Sequence, residues 1–298
     1  MRKFILHLFL VSATLLFSGI VSAQTKTNTE LLKQASIQHA TKERNLAQRI
    51  EIIARQKGWP LTLKGKNGFI ANLVDIDGLG LPVYVATDNN IIAAATIGTS
   101  ALWPGGSTGL NLSGSSNNVK GKLGIWEVGG IPRSTHVEFG GRLVQKDNGT
   151  VISDHATHVA GTLIASGVNP LAKGMSYGMQ ELASYDQTGD VSEMMAAGAA
   201  GLLVSNHSYG AISGWYQNPS QSNRWEFWGR FDENEDYRFG YYDSRAQLFD
   251  SIAYNAPNYL IVKSAGNNRS VNGPAVGQPY WRYNSSGAMS NDRSGEPP

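Results

Sequence analysis

Apolar and polar positions in the first part of the chain alternate as they do in an amphipathic helix. The polar, helix-favouring stretch from Asn28 to Lys57 carries an imperfect one-sided stripe. The pattern stops at Gly58-Trp59-Pro60, because proline cannot continue a helix. It predicts one helix or two, whose apolar stripe is Leu31, Leu32, Ala35, Leu46, Ile50, Ile53 and Ala54.

Two short apolar runs follow this helical pattern. Phe69 to Ile76 and Pro82 to Thr87 have the composition of strands, and the turn residues Asp77-Gly78-Leu79-Gly80 lie between them. We therefore expect a small α+β unit ahead of the main domain. A cleavable N-terminal unit and a permanent one have the same sequence pattern.

Beyond a Gly- and Ser-rich passage at 103–116, short apolar runs alternate with helical patterns. This alternation is typical of parallel strands joined by crossover helices, and it predicts an α/β fold with helices on both faces of a parallel sheet. Asp190 to Glu193 and Ser244 to Gln247 read as capping boxes that open two helices. The predicted strands are Leu123 to Trp126, Leu202 to Ser205 and Tyr259 to Lys263.

Composition narrows the classes of function. The 298 residues have a formal net charge of only +2, with Lys and Arg scattered along the chain, so the basic footprint of a nucleic-acid-binding protein is missing. The chain contains no cysteine, which excludes disulfides, thiolate nucleophiles and Cys-ligated zinc.

The first 23 residues have the pattern of an export signal. Arg2 and Lys3 precede the mostly apolar run from Phe4 to Ile20, and Val21-Ser22-Ala23 supplies small residues at a cleavage site. A membrane anchor is the alternative, but the run is short and interrupted by polar residues. We expect a signal peptide at 1–23, a secreted or cell-surface protein, and no membrane contact after cleavage.

Polar residues follow each predicted strand of the main domain. Glu127 ends the first, Asn206-His207-Ser208-Tyr209-Gly210 follows the second, and Ser264-Ala265-Gly266-Asn267-Asn268 follows the third. In parallel sheets, chemistry collects at the carboxyl ends of the strands. Asp154 to Thr162 reads as a helix start, capped by Ser153 or Asp154.

These segments resemble the motifs of the subtilase family. The run His155-Ala156-Thr157-His158-Val159-Ala160-Gly161-Thr162 is similar to the histidine motif His-Gly-Thr-His-Val-Ala-Gly-Thr. Gly124 to Gly130 resembles the aspartate motif, with Glu127 at the aspartate position. Ser208-Tyr209-Gly210 is similar to the substrate-pairing segment, and Ser264 to Asn267 to the oxyanion-asparagine motif. The resemblance covers about residues 122–268, with all four motifs in the family's order.

The resemblance implies a secreted serine endopeptidase made as a zymogen. Its domains would be a signal peptide at 1–23, a propeptide-like region at 24–95 and a subtilisin-like catalytic domain at 96–298. Polypeptide substrates and the protein's own propeptide would be its partners, and no cofactor would be required for the chemistry. The implied roles are His155 as base, Glu127 as its orienting acid, Asn267 as oxyanion donor, and Ser208, Tyr209 and Gly210 as substrate-binding residues.

Two departures from the family pattern affect this expectation. Glu127 carries the charge of aspartate on a stem one methylene longer, while Asp154 is better placed to cap its helix than to orient His155. No residues after Asn267 match the nucleophile motif Gly-Thr-Ser-Met-Ala, so we expect the chain to be a fragment that does not hydrolyse peptides. Ser100, in Gly98-Thr99-Ser100, precedes both Glu127 and His155, which is the wrong order for a subtilase nucleophile.

The other histidines are expected to be structural. His158 should lie on the buried side of its helix, and His136 and His207 at turns or strand ends. Simpler alternatives also exist for two motif residues, since His155 could be a capping or hydrogen-bonded histidine and Asn267 only a turn former.

The insertion from Trp215 to Tyr242 is rich in acids and aromatics. Asp232 to Asp236, together with Asp243, has the spacing of a calcium loop, but Tyr237 stands where such a loop needs glycine, so structural calcium is only an option and no metal site is assigned. Besides the peptidase, two further hypotheses are an inactive subtilase-like binding protein and a secreted adhesion or carbohydrate-binding protein that uses these aromatics. The aromatics could line a subsite or cover the sheet: Trp225, Phe227, Trp228, Tyr241 and Tyr242.

Overall fold

The computed structural model describes residues 26–64, 70–87, 97–230, 232, 235–267 and 271–292. The expected signal peptide at 1–23 and Phe69 lie outside them. Within the described residues, no helix is long and apolar enough to cross a membrane.

The N-terminal unit consists of one long helix and three antiparallel strands. Helix α1 (Thr29–Lys57) begins where the Asn28 side chain accepts from the Leu31 N–H, and it ends at Gly58, whose φ of 69° is favourable for glycine. The sequence pattern was compatible with one helix or two, and the structure has one. The strands are β1 (Thr62–Lys64), β2 (Ile70–Ile76) and β3 (Pro82–Thr87), in the order β1-β2-β3.

A five-stranded parallel sheet forms the centre of the main domain, as the sequence predicts. Its order is β5-β6-β4-β7-β11, so β4 occupies the middle. The strands are β4 (Leu123–Glu127), β5 (Leu143–Gln145), β6 (Leu182–Asp186), β7 (Val204–His207) and β11 (Leu260–Lys263).

Helices cover both faces of this sheet because successive side chains of β4 point to opposite faces. Ile125 packs in a core with residues of helix α2 (Asp154–Ile164). Trp126 packs in a second core with residues of three helices, and Leu32 of α1 belongs to that same core. Those helices are α1, α3 (Asp190–Ala199) and α4 (Ser244–Asn255).

A third sheet of the described residues was not predicted from the sequence. Its order is β13-β12-β10-β9, with β10 and β12 parallel and the outer pairs antiparallel. We call it the accessory sheet, and it consists of β9 (Trp215–Asn218), β10 (Arg224–Phe227), β12 (Trp281–Tyr283) and β13 (Met289–Ser290). A two-residue strand, β8 (Gly210–Ala211), joins the sheet of the N-terminal unit at β3 instead.

Two predicted helix caps were wrong. Helix α3 has Gly189 at its N-cap position without a side-chain cap, because the Asp190 carboxylate accepts hydrogen bonds from Tyr209 Oη and Arg245. Helix α4 is capped one residue earlier than predicted, by Asp243, whose carboxylate accepts from the Ala246 N–H at 2.8 Å. The sequence left Ser153 and Asp154 open as caps of α2, and the structure has Ser153, whose Oγ accepts from the Ala156 N–H, with Asp154 as the first residue of the helix.

The buried carboxyl group of Glu193, in α3, should make the stability of the folded protein depend on pH. Burial and the nearby carboxylates of Asp147 and Asp186 raise the pKa of Glu193 from 4.5 to about 8, against the opposing effect of the Trp126 indole N–H, which donates to Glu193. In the unfolded chain the carboxyl ionises at its ordinary pKa. Its contribution to stability is therefore complete below about pH 4.5 and is lost as the pH rises through about 8.

We expect Glu193→Gln to flatten the fall in unfolding free energy between those two pH values. Urea unfolding at a series of pH values measures it, and Glu181→Gln, at a surface ion pair with Lys146, is the control. A slope unchanged in Glu193→Gln would contradict the assignment.

Candidate active site

The structure brings Glu127 and His155 into contact. Glu127 is the last residue of β4, and His155 lies in the first turn of α2, whose start is fixed by the Ser153 cap. Glu127 Oε2 and His155 Nδ1 are 2.9 Å apart, and both side chains are almost completely buried. A carboxylate that accepts from Nδ1–H holds the imidazole in the tautomer whose Nε2 can take up a proton.

The carboxylate of Glu127 has an unusual environment. Burial raises its pKa, while the hydrogen bond and charge of His155 and the charge of Lys263 act in the opposite direction. Its second oxygen, Oε1, is buried and has no hydrogen-bond partner in the described part of the chain. Oε2 is the oxygen of Glu127 that contacts the imidazole.

The segment Ser208-Tyr209-Gly210 is held in place from both sides. Tyr209 Oη donates to Asp190 at 2.6 Å, and the Tyr209 carbonyl accepts from Lys263 Nζ and from Ser264 Oγ. Ser208 Oγ accepts from the Asn206 amide at 2.8 Å. Sequence reasoning gave Asp190 only a capping role and Lys263 only a place in a strand, because their contacts with Tyr209 join elements far apart in the chain.

Strand β8, which begins at Gly210, is already paired in this structure. Val85 faces Ala211 and Ala86 faces Gly210 in an antiparallel ladder, and the Ile212 N–H donates to the Tyr84 carbonyl at 2.8 Å. The N-terminal unit therefore lies along the edge that the resemblance assigns to an extended substrate.

Asn267 is exposed in the loop after β11 and follows Gly266, whose φ of 92° requires glycine-like freedom. Strands β4, β7 and β11 are neighbours and run in parallel, so they end at the same edge of the sheet. Glu127 ends β4, and Ser208 and Asn267 follow β7 and β11. The structure thus collects the predicted site residues at one edge.

Two of the expectations for the remaining histidines hold and one is wrong. His158 is exposed instead of facing the buried side of α2, because the buried face of that helix carries Val159 and Ala160. His136 lies in a turn, and His207 ends β7. Burial and the charges of Lys263 and Arg245 lower the pKa of His207 to about 3, so it is neutral.

The acidic part of the insertion is engaged in protein contacts where it is described. Asp236 accepts from the Gly214 N–H at 2.6 Å, and Asp232 pairs with Arg230 at 2.8 Å. Among the described residues, no group of three His, Asp or Glu side chains is arranged to hold a metal ion. Of the aromatics, Phe227 and Trp228 are buried, whereas Tyr241 and Tyr242 are exposed.

An imidazole held by a buried carboxylate at the edge of a parallel α/β sheet defines a site for base-assisted nucleophilic chemistry. Residues 136–292, more than half of the chain, match the model of the subtilase family. The chain therefore belongs to the subtilase family of serine-type peptidases. Neither a curated protein nor a solved structure matches it.

Proposed function

We propose that the protein is the precursor of a secreted serine endopeptidase in which His155 and Glu127 activate a serine nucleophile. The observation that carries the proposal is the 2.9 Å contact between Glu127 Oε2 and His155 Nδ1, in a chain of the subtilase family. His155 Nε2 would take the proton of the serine hydroxyl as it attacks the peptide carbonyl, and would then give it to the leaving amine. Glu127 would stabilise the imidazolium formed between these steps.

Other residues at the same edge would bind the substrate. Ser208, Tyr209 and Gly210 would pair with an extended polypeptide, because the backbone of β8 can accept an antiparallel strand, as it does from β3. The Asn267 amide would donate to the oxygen that becomes negative in the tetrahedral intermediate. No residue is assigned as the nucleophile, since residues 268–298 contain no Gly-Thr-Ser motif.

The organisation of the N-terminal region supports synthesis of the protein as an inactive precursor. Residues 1–23 would direct export, 24–95 would form the propeptide, and 96–298 would belong to the catalytic domain. With β3 paired to β8, an extended substrate cannot form the same ladder, so the precursor would be inactive until the strand leaves.

Labelling with a fluorophosphonate probe tests this function. We expect the product of the whole reading frame to react covalently after maturation, whereas the 298-residue chain, which has no match to the nucleophile motif, should not react. The same samples would be assayed with a peptide substrate.

A whole reading-frame product that folds and matures yet never labels would contradict the peptidase and leave the second hypothesis, an inactive subtilase-like binding protein. The unpartnered Oε1 of Glu127 is the observation that favours this second hypothesis. Circular dichroism of the unlabelled product would separate that outcome from misfolding.

A further inference from the structure

A continuous chain of buried hydrogen bonds ends at the residue in the middle of the proposed substrate-binding segment. Tyr259 Oη donates to Ser205 Oγ at 2.8 Å, and Ser205 Oγ lies 2.7 Å from His207 Nε2. On the other side of the imidazole, His207 Nδ1 lies 2.9 Å from Tyr209 Oη, which donates to Asp190 at 2.6 Å. All five side chains are at least nine-tenths buried, so a lost bond leaves a polar atom unsatisfied.

The hydrogens of this chain can be assigned from its acidic end. The Asp190 carboxylate only accepts and pairs with Arg245, so the single hydrogen of the Tyr209 hydroxyl is directed to it. Toward the imidazole, Tyr209 Oη can then only accept, which places the proton of neutral His207 on Nδ1. Nε2 therefore accepts from Ser205 Oγ. Every donor of the chain points towards the Asp190 carboxylate.

Tyr209 is held at its backbone as well as at its hydroxyl. Its carbonyl accepts from Lys263 Nζ and, at 3.2 Å, from Ser264 Oγ. Lys263 Nζ also lies 3.9 Å from the centroid of the Tyr209 ring, within the range of a cation–π contact. Lys263 ends β11, and Ser264 begins the segment that leads to Asn267. Tyr209 thus joins the buried chain to the loop that carries the proposed oxyanion donor.

His207 links the parallel sheet to this anchored tyrosine. It is the last residue of β7, and its ring stacks on that of Trp126 in β4, with 5.1 Å between the ring centroids. The stacking fixes the plane of the imidazole, so the direction of its Nδ1–H determines where the Tyr209 hydroxyl lies. An apolar residue, which a buried parallel strand ordinarily carries, would leave the Tyr209 oxygen without this donor.

We propose that His207 is a positioning residue for substrate binding, because its Nδ1–H holds the Tyr209 hydroxyl on Asp190 and thereby fixes the backbone of Ser208-Tyr209-Gly210. This proposal rests on the proposed function, since it takes that segment to pair with an extended polypeptide. His207 acts through Tyr209. Loss of its Nδ1–H loosens the segment and weakens substrate binding, while the catalytic base and its carboxylate stay in contact.

Two substitutions separate the two ring nitrogens of His207. His207→Asn places an amide N–H near the position of Nδ1 and can still donate to Tyr209, whereas His207→Gln keeps only an acceptor for Ser205 near Nε2. In the 298-residue chain, the Ile212 N–H donates to the Tyr84 carbonyl beside the β3–β8 ladder and reports on the position of the segment. We expect its hydrogen exchange to be about 10-fold faster in His207→Gln and within about 3-fold of the unchanged chain in His207→Asn.

Tyr259→Phe is the matched control. It removes a hydroxyl at the far end of the same chain and leaves both bonds of the Tyr209 hydroxyl in place. Exchange at Ile212 should stay within about 3-fold of that in the unchanged chain. Equal acceleration in Tyr259→Phe and His207→Gln would overturn the proposal, since a general loss of stability would then explain both.

A measurement on the unchanged chain covers the case in which the His207 variants do not fold. Heteronuclear NMR of the histidine ring nitrogens should show His207 with its proton on Nδ1. Tyr209→Phe removes the acceptor of that proton, so the proton should move to Nε2 and be donated to Ser205. A proton on Nε2 in the unchanged chain would contradict the assignment on which the proposal depends.

Steady-state kinetics of the matured whole reading-frame product connects the position of the segment to substrate binding. In His207→Gln, KM for a peptide substrate should rise about 10-fold while kcat changes by less than about 3-fold, because binding is lost and the proton transfer is kept. A lower kcat at constant KM would refute the positioning role. Hydrogen exchange and ring-nitrogen NMR need no peptidase activity, so an inactive product would count against the proposed function and leave these two results to decide how the segment is held.

Discussion

His155→Ala is expected to reduce the turnover of the matured whole reading-frame product on the order of 10⁶-fold, as when a serine protease loses its catalytic base. This substitution removes the base that Glu127 holds in place. Residual catalysis should remain on the order of 10³-fold above water, because oxyanion stabilisation and substrate binding persist. Steady-state kinetics with a peptide substrate measures the loss.

His158→Ala is the matched control for this prediction. It lies in the same helix α2, one turn from His155, but its side chain is exposed. We expect this variant to keep its turnover within a few-fold of the unchanged protein. Comparable losses in both variants would mean that α2, and not the imidazole of His155, is responsible.

Two substitutions at Glu127 should distinguish the effect of its negative charge from the effect of its side-chain length. Glu127→Gln keeps the length of the side chain but allows the amide to donate to Nδ1, which favours the wrong tautomer of His155 and should lower kcat by about 10⁴-fold. Glu127→Asp restores the residue of the subtilase motif, yet it withdraws the carboxylate by one methylene from a contact of 2.9 Å. We expect that variant to lose on the order of 10²-fold through misorientation of the base.

The rank order of the two variants is the decisive result. If the kcat of Glu127→Asp lies between those of the unchanged protein and Glu127→Gln, the length of the glutamate side chain matters. An aspartate variant as fast as the unchanged protein would refute the geometric argument, because the backbone would then adapt to the shorter side chain. Thermal unfolding of both variants shows whether any loss comes from an altered fold.

The sequence predicts those parts of the fold that local patterns determine. Helix α1 and strands β4 and β11 follow from periodicity, cap residues and breakers, all of which act within a few residues. The accessory sheet does not, since its strands are only two to four residues long and β10 pairs with β12 more than fifty residues later. Such pairing depends on tertiary contacts that no short window of sequence contains.

The motifs predicted which side chains meet, and the structure places Glu127 against His155. The roles of these two residues stay a prediction. The exact end of β7 did not follow from the polar run of Asn206 and His207. His207 is completely buried there because Ser205 and Tyr209 satisfy its two ring nitrogens. A polar run that is internally paired can therefore lie in a core, where a hydrophobicity pattern predicts a loop.

The N-terminal unit and the accessory sheet share one buried cluster, which contains both Tyr84 and Tyr283, and this has a consequence for synthesis on the ribosome. The two tyrosines are separated by roughly 200 residues. At about 5–20 residues per second, Tyr84 emerges about 10–40 s before Tyr283 is made. During that interval the aromatic face of the N-terminal unit has no partner, so the nascent chain would depend on chaperones, or on staying unfolded, until its last strands emerge.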